Sequence, residues 1–444
     1  MTHRNGRILG LMTLISLVCA FQADHYRQLG DLGFAMDIIE QNYVEKVDRH
    51  QLYQAAMKGM LDSLDTYSDY IPPNEFHSFQ SVLNQEFGGL GIVIGRNPES
   101  DRLQIFKVLY DTPAFKAGVL AGDIIEKIDD HATNGMVNDD ATRYLRGAPG
   151  TVVTLTIQRD SSKKNGIEFK IRRATIETES VTGDHRLSDG RWEFMMQADP
   201  KLAYVRVEIF GEKTTHELRS ALSSIRGSAT GVILDLRDNS GGFLPTATDI
   251  CDMFLEDGLI VSTQGRDGVF ESKRNATAGV DLPDSTPLVV LINGLSASAS
   301  EVTAACLQDR HRATIIGQRT FGKGSVQNVV KLEGGKAGLR LTSAHYFPPS
   351  GRNIHKKNNA KEEDEWGVFP DENFTLILDE EQTKAVFERL REREKPRLQP
   401  EIQEETSSES QPSSDDSKKF FERDPSLTKD PQLVRAIEFL TSVK

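Results

Sequence analysis

Residues 288–310 read LVVLINGLSASASEVTAACLQDR, and this stretch decides the fold. Leu288 to Ile292 form an apolar run of strand length, as expected for a strand buried on both faces. Asn293-Gly294 marks a tight turn. From Ser298 the pattern turns helical. A serine at such a strand-to-helix junction meets the positive end of the helix dipole and its unpaired N–H groups. Serine is also a preferred N-cap, so SASAS alone reads equally well as a helix start.

Two neighbouring segments give the serine chemical company. Upstream, residues 231–242 read GVILDLRDNSGG, a strand that runs into Asn239-Ser240-Gly241-Gly242 and then a helix. Gly241 and Gly242 let the backbone come close to a substrate, and with the amide of Ala299 they can form an oxyanion hole. Downstream, residues 317–327 read GQRTFGKGSVQ and follow the strand-like ATIIG. Lys323 lies there among small and apolar residues. A lysine with a pKa of about 10.4 is protonated at neutral pH and cannot take a proton. Partial burial lowers that value. Gln327, four residues on, can hold the amine without adding charge.

Outward from this centre, strand-like LAYVRVEIF, GVILDLRD, TPLVVLIN and ATIIGQ alternate with helix-like HELRSALSSI, TATDICDMFL and SEVTAACLQ. That alternation predicts an α/β core over 175–398. Residues 81–174 differ: a glycine-rich FGGLGIVIG is followed by the β-type segments RLQIFKVL, GDIIEKID, TVVTLTIQRD and GIEFKIRRATI, broken by two short helical patches. This order resembles a PDZ domain. Gly88, Gly89, Leu90, Gly91 and Ile92 stand at its carboxylate-binding loop, where convergent N–H groups would take a peptide C-terminus and the next strand would pair with the peptide. Residues 23–80 predict a small helical domain, with Pro72 and Pro73 ending its helices. Residues 399–430 read as a disordered acidic linker, and 431–444 as a C-terminal helix.

Asp and Glu total 66 against 53 Lys and Arg, a net charge of −13, so the basic footprint of a nucleic-acid binder is missing. Cys19, Cys251 and Cys306 have no metal-ligand spacing, so neither a metal nor another cofactor is expected. Arg4 and Arg7 precede an apolar run from Ile8 to Phe21, and Val18 and Ala20 suit a cleavage site. At about 14 residues the run fits a signal peptide, spanning 1–22, better than a membrane span. Export to a periplasmic or other extracytoplasmic compartment follows, with an inner-membrane tether if the leader is retained.

SASASE followed by FGKGSVQ, with the glycine loop upstream and SGRNIHKK and FPDENF downstream, resembles the carboxyl-terminal processing (tail-specific) proteases. The resemblance covers nearly all of 23–395 and implies a multidomain α/β protein: a helical N-terminal segment, an inserted PDZ domain and a protease core with a spiral-type twisted sheet. It implies a serine endopeptidase with Ser298 as nucleophile, Lys323 as general base and Gln327 as its partner. The substrates would be proteins or peptides with exposed C-termini. Ser240 stands where the family usually carries proline. Arg146, in YLRGAPGT, falls where the family can place a sensor that couples the PDZ domain to the active site. The N- and C-terminal helices suit contacts in a homodimer. A Ser-His-Asp hydrolase would want G-x-S-x-G around Ser298, which is lacking. The other alternative is a catalytically silent PDZ scaffold, which loss of the serine, the lysine or the glycines would favour; all are present.

Overall fold

The computed structural model describes residues 27–97, 100–159, 166–357, 359–394 and 416–443. The expected leader and residues 399–415 of the expected linker lie outside this set. The chain divides into two compact units.

The first unit comprises residues up to 76 together with 327–342. Residues 27–42 are helical. A second helix, Arg49–Asp62, is capped by Asp48, whose carboxylate accepts the His50 N–H at 2.7 Å. The strand Asp69–Ile71 pairs antiparallel with the first part of the strand Ala337–Phe347, Tyr70 opposite Leu339. Leu61, Tyr70 and Ala337 make a small core with Tyr53, Met57, Leu332, Leu339 and Leu341 around it. The N-terminal domain is therefore not helical throughout 23–80: a hairpin from far along the chain completes it. Pro72 and Pro73 start a helix, Pro73–Leu83, rather than ending one. Proline is tolerated there because the first-turn N–H groups have no intrahelical partner.

The second unit holds residues 77–326 and 343–444. Its first part is an antiparallel sheet in the order Ile92–Arg96, Leu103–Val108, Ile124–Ile128, Val152–Gln158, Ile167–Arg172, with the helix Asn138–Leu145 nearby. Alternate residues Val153, Leu155 and Ile157 point into a core with Leu103, Ile105, Ile125 and Ile128, the period-2 pattern of a half-buried sheet. The incoming segment Glu86–Gly89 pairs with the outgoing Ala174–Glu177, which closes the insertion at its base.

The α/β core follows. Leu202–Val207, Gly231–Asp235, Leu288–Ile292 and Thr314–Gly317 are parallel neighbours in that order. Val232, Leu234, Val290 and Ile292 face one way, onto the helices Thr214–Ile225, Leu244–Asp252 and Ala299–Asp309. Ile233, Val289, Leu291 and Ile316 face the other way, onto Leu427, Leu433, Ala436, Ile437 and Leu440. The end of the chain thus covers one face of the sheet. A helix Asp416–Arg423 and a turn Pro425–Lys429 precede the final helix Pro431–Ser442. Residues 416–430 correct the linker expectation. Their polar composition hides two buried acids, Asp424 and Asp430, whose charges are matched by buried arginines.

Candidate active site

Ser298 sits at the N-cap of Ala299–Asp309 with φ 57° and ψ −113°. A non-glycine residue is uncommon there, and such backbone strain costs about 1–3 kcal/mol. Three side chains over-determine the turn. The Ser296 hydroxyl donates to the Leu236 carbonyl at 2.7 Å, and the Ser300 hydroxyl donates to the Asn239 carbonyl at 2.8 Å. Glu301 accepts the Ser298 N–H at 2.8 Å. The three serines of SASAS therefore differ: the outer two pin the turn to the DLRDN loop, and Ser298 is left at its apex.

Glu301 is fully buried and holds a second segment. Its Oε2 accepts the Lys323 N–H at 2.7 Å. Its Oε1 accepts the Gly322 N–H at 2.6 Å and the Thr320 hydroxyl at 2.5 Å. One carboxylate thus bonds the backbones of both Ser298 and Lys323. Burial pushes its pKa up, opposed by these hydrogen bonds. Lys323 is half-buried. Gly322 has φ 91°, and a Cβ there would lie 2.7 Å from Lys356 Cβ and 2.8 Å from the Trp366 ring.

Gly241 comes close to Ser298: a Cβ on it would be 2.8 Å from Ser298 Cβ and 2.7 Å from the Ala297 carbonyl oxygen. Its φ of 102° also requires glycine. Its own N–H, however, donates to the Asn239 side-chain carbonyl at 2.9 Å. Of the three expected oxyanion donors, Gly241 is therefore engaged within the loop. Ala299 stands at the first helical position, whose N–H has no intrahelical partner, and Gly242 lies beside Phe210 with no backbone acceptor for its N–H among the described residues. Buried Asn239 sets the loop by also donating to the Val207 carbonyl at 2.7 Å. Ser240, in the place of the usual proline, is exposed.

The expected carboxylate loop divides. Gly88 and Gly89 belong to the paired strand at the base of the insertion, opposite Thr175 and Ala174. Leu90 is buried in its core. Gly91, at φ 81°, makes the turn, and Ile92 opens an edge strand. The amides of Leu90 and Gly91 have no backbone acceptor among the described residues. Arg146, just after the helix Asn138–Leu145, donates from Nη1 to the Ser78 hydroxyl at 3.0 Å and lies 5.2 Å from the Phe87 ring centroid. Gln327 belongs to the first unit, half-buried on the strand Ser325–Leu332, with Nε2 3.4 Å from Thr342 Oγ1.

The carboxy-terminal-processing protease of Bartonella bacilliformis is 40% identical over 334 residues, 74% of this chain and 73% of its own length. The chain belongs to the carboxyl-terminal processing proteases. It is a serine endopeptidase with a PDZ domain: residues 201–374 match peptidase family S41, 107–159 match the PDZ domain, and 19–74 match the activating protease CtpB N-terminal domain. The carboxyl-terminal-processing protease of Synechocystis sp. is 34% identical over 76% of this chain and 74% of its own length. CtpA of Bacillus subtilis is 32% identical over 73% and 66%.

Sequence reasoning missed two residues that stand around Ser298. Glu301 carried a signal, since Ser298 and Glu301 stand in the S-x-x-E spacing that brings a glutamate back to an N-cap amide. Tyr346 carried none. It is buried on the strand Ala337–Phe347. Burial raises its pKa, and the neighbouring Ser298 side chain works the other way. Among the described residues neither His311 nor His345 hydrogen-bonds Ser298, as a Ser-His-Asp site would require.

Proposed function

We propose that this protease cleaves exported proteins that it captures by their C-termini, with Ser298 as nucleophile and Lys323 as general base. The observation that carries the reading is Glu301, one buried carboxylate bonded to the N–H groups of both residues. Neutral Lys323 Nζ takes the Ser298 proton as Oγ attacks the scissile carbonyl. The oxyanion rests on the amides of Ala299 and Gly242. Gly241 joins them only if Asn239 releases its N–H. The lysine then passes the proton to the leaving amine and activates water against the acyl-enzyme. Gln327, in the role that family resemblance gives it, holds the lysine amine.

The amides of Leu90 and Gly91, which have no backbone acceptor among the described residues, stand beside the edge strand Ile92–Arg96 and support capture of a peptide carboxylate by strand addition. Arg4 and Arg7 ahead of the apolar run support export.

The test is kinetic. Ser298→Ala and Lys323→Ala each nearly abolish cleavage without unfolding, and the double variant is little worse, because such residues act as a unit. Lys323→Arg is inactive, since guanidinium stays protonated. In the wild type kcat/KM rises with pH through an apparent pKa below about 10. Robust proteolysis by Ser298→Ala would sink the assignment.

A further inference from the structure

The first unit contains a hydrogen-bond relay that ends on Gln327. Asp65 lies just after the helix Arg49–Asp62. Its Oδ1 accepts the N–H groups of Tyr67 at 2.7 Å and Ser68 at 2.8 Å, and its Oδ2 accepts the Ser68 hydroxyl at 2.7 Å. Burial works to raise the Asp65 pKa, but the bonds from Ser68 and Tyr67 outweigh it and hold the carboxyl below its usual value. Asp65 is therefore ionised at neutral pH and can only accept. Ser68 Oγ also accepts the Thr342 N–H at 3.1 Å, which fixes the Thr342 backbone beside the acid.

The rest follows from counting protons. Thr342 Oγ1 lies 3.2 Å from Asp65 Oδ1. The carboxylate has no proton, so the hydroxyl supplies the one between them. Thr342 then offers Gln327 only a lone pair. Gln327 can meet a lone pair only with its NH2 group, and Nε2 stands there at 3.4 Å. The bond is long, and its worth lies in direction. With Nε2 assigned to Thr342, the amide carbonyl Oε1 points the other way.

We infer that Asp65 and Thr342 are positioning residues for Gln327, fixing its amide so that it presents an acceptor, not a donor, to the catalytic amine. The inference rests on the proposed role of Gln327. Its chemistry is specific. A carbonyl oxygen accepts an N–H of lysine and leaves the nitrogen lone pair free to take the serine proton. A flipped amide would donate to that same lone pair and occupy the base. An acceptor favours the protonated amine and a donor favours the neutral one, so losing the relay lowers the apparent pKa of the base.

The experiment measures kcat and KM against pH for the full chain with a fluorogenic peptide. The set is Thr342→Val, Thr342→Ser, Gln327→Ala and the double variant Thr342→Val with Gln327→Ala. Valine keeps the shape of threonine and removes the hydroxyl. The expected result for Thr342→Val is a fall in kcat of about ten-fold, the scale of a modest misplacement. KM should hold, and the acid limb should move to lower pH. Thr342→Ser should restore both kcat and the limb. In the Gln327→Ala background, Thr342→Val should have no further effect.

A wild-type profile for Thr342→Val alongside an impaired Gln327→Ala overturns the relay and leaves the role of Gln327 standing. A wild-type profile for Gln327→Ala overturns that role, and the relay with it. Effects of Thr342→Val that persist without Gln327, or that Thr342→Ser fails to rescue, mark Thr342 as merely structural and also overturn the inference.

Discussion

Two groups of buried carboxylates in the α/β core are compensated in opposite ways. Around the last segment of the chain, Asp184, Asp235, Asp424 and Asp430 are buried with Arg206, Arg237, Arg389 and Arg393, four charges of each sign. Arg237 Nη2 reaches Asp235 at 2.6 Å, Arg237 Nη1 reaches Asp430 at 2.9 Å, and Arg393 bonds both Asp184 and Asp424. Burial works to raise the pKa of Asp184, Asp235 and Asp430, yet the guanidinium groups outweigh it and hold all three below the usual range. Among the described residues Glu301 makes no such ion pair. It is held by backbone N–H groups and one hydroxyl, and burial wins. An ion cluster tolerates burial because opposite charges cancel. A carboxylate held by dipoles is less stable as an anion, but it orients every group that bonds to it.

The comparison breaks first where the cluster loses a charge. Asp430 ties the last helix to Arg237, two residues before Asn239 of the glycine loop. Asp430→Asn leaves Arg237 buried with one anion fewer. Removing one partner of a buried pair costs about 3–5 kcal/mol. Chemical denaturation should show a loss of that size, and activity per folded molecule should stay near wild type. A variant as stable as wild type would mean that the final segment is not locked to the core by this pair.

Glu301→Gln should behave in reverse. Every group on Glu301 is a donor, so an amide NH2 in place of either oxygen meets an N–H group. The turn at Ser298 or the loop at Lys323 must then shift. A displacement of about 1 Å at reacting groups can cost 10²-fold in rate. Steady-state kinetics should show a fall of about that size, mostly in kcat, with unfolding changed far less than in Asp430→Asn. Equal losses of stability in the two variants would erase the contrast.

These two regions also differ in how far the sequence revealed them. The turn at Ser298 was legible because its pieces are local: strand, turn, glycine and helix start are readable within a dozen residues around Ser298, and again around Lys323. Even Glu301 stood inside the segment that decided the fold. What stayed hidden is the convergence of distant loops on it, since Thr320 and Gly322 give no sign of sharing an acceptor. The ion cluster was illegible for a different reason. Asp424 and Asp430 sit in a polar stretch whose composition predicts solvation, and only the buried arginines of other elements explain their burial. The hairpin in the first unit and the pairing of Gly88 and Gly89 were missed in the same way, because strand partners lie far apart in the chain.

The smallest effect is also the sharpest test of the contrast, because the two acids should tilt the pH dependence of stability in opposite directions. Stability rises with pH wherever the unfolded chain binds more protons than the folded one. The Asp430 pKa in the folded protein lies below the unfolded value of about 3.9. Its stabilisation is therefore complete above that value and is lost as pH falls below it. The Glu301 pKa in the folded protein lies above the unfolded value of about 4.3. Between those two values the folded state binds the extra proton, so acid favours folding there. Each unit of difference is worth about 1.4 kcal/mol. Unfolding free energies measured from about pH 3 to 7 should show that Asp430→Asn flattens the acid loss of stability, while Glu301→Gln steepens it. If both variants change the slope in the same direction, burial without a cation is not what distinguishes Glu301. Its carboxylate would then be as well compensated by dipoles as Asp430 is by arginine.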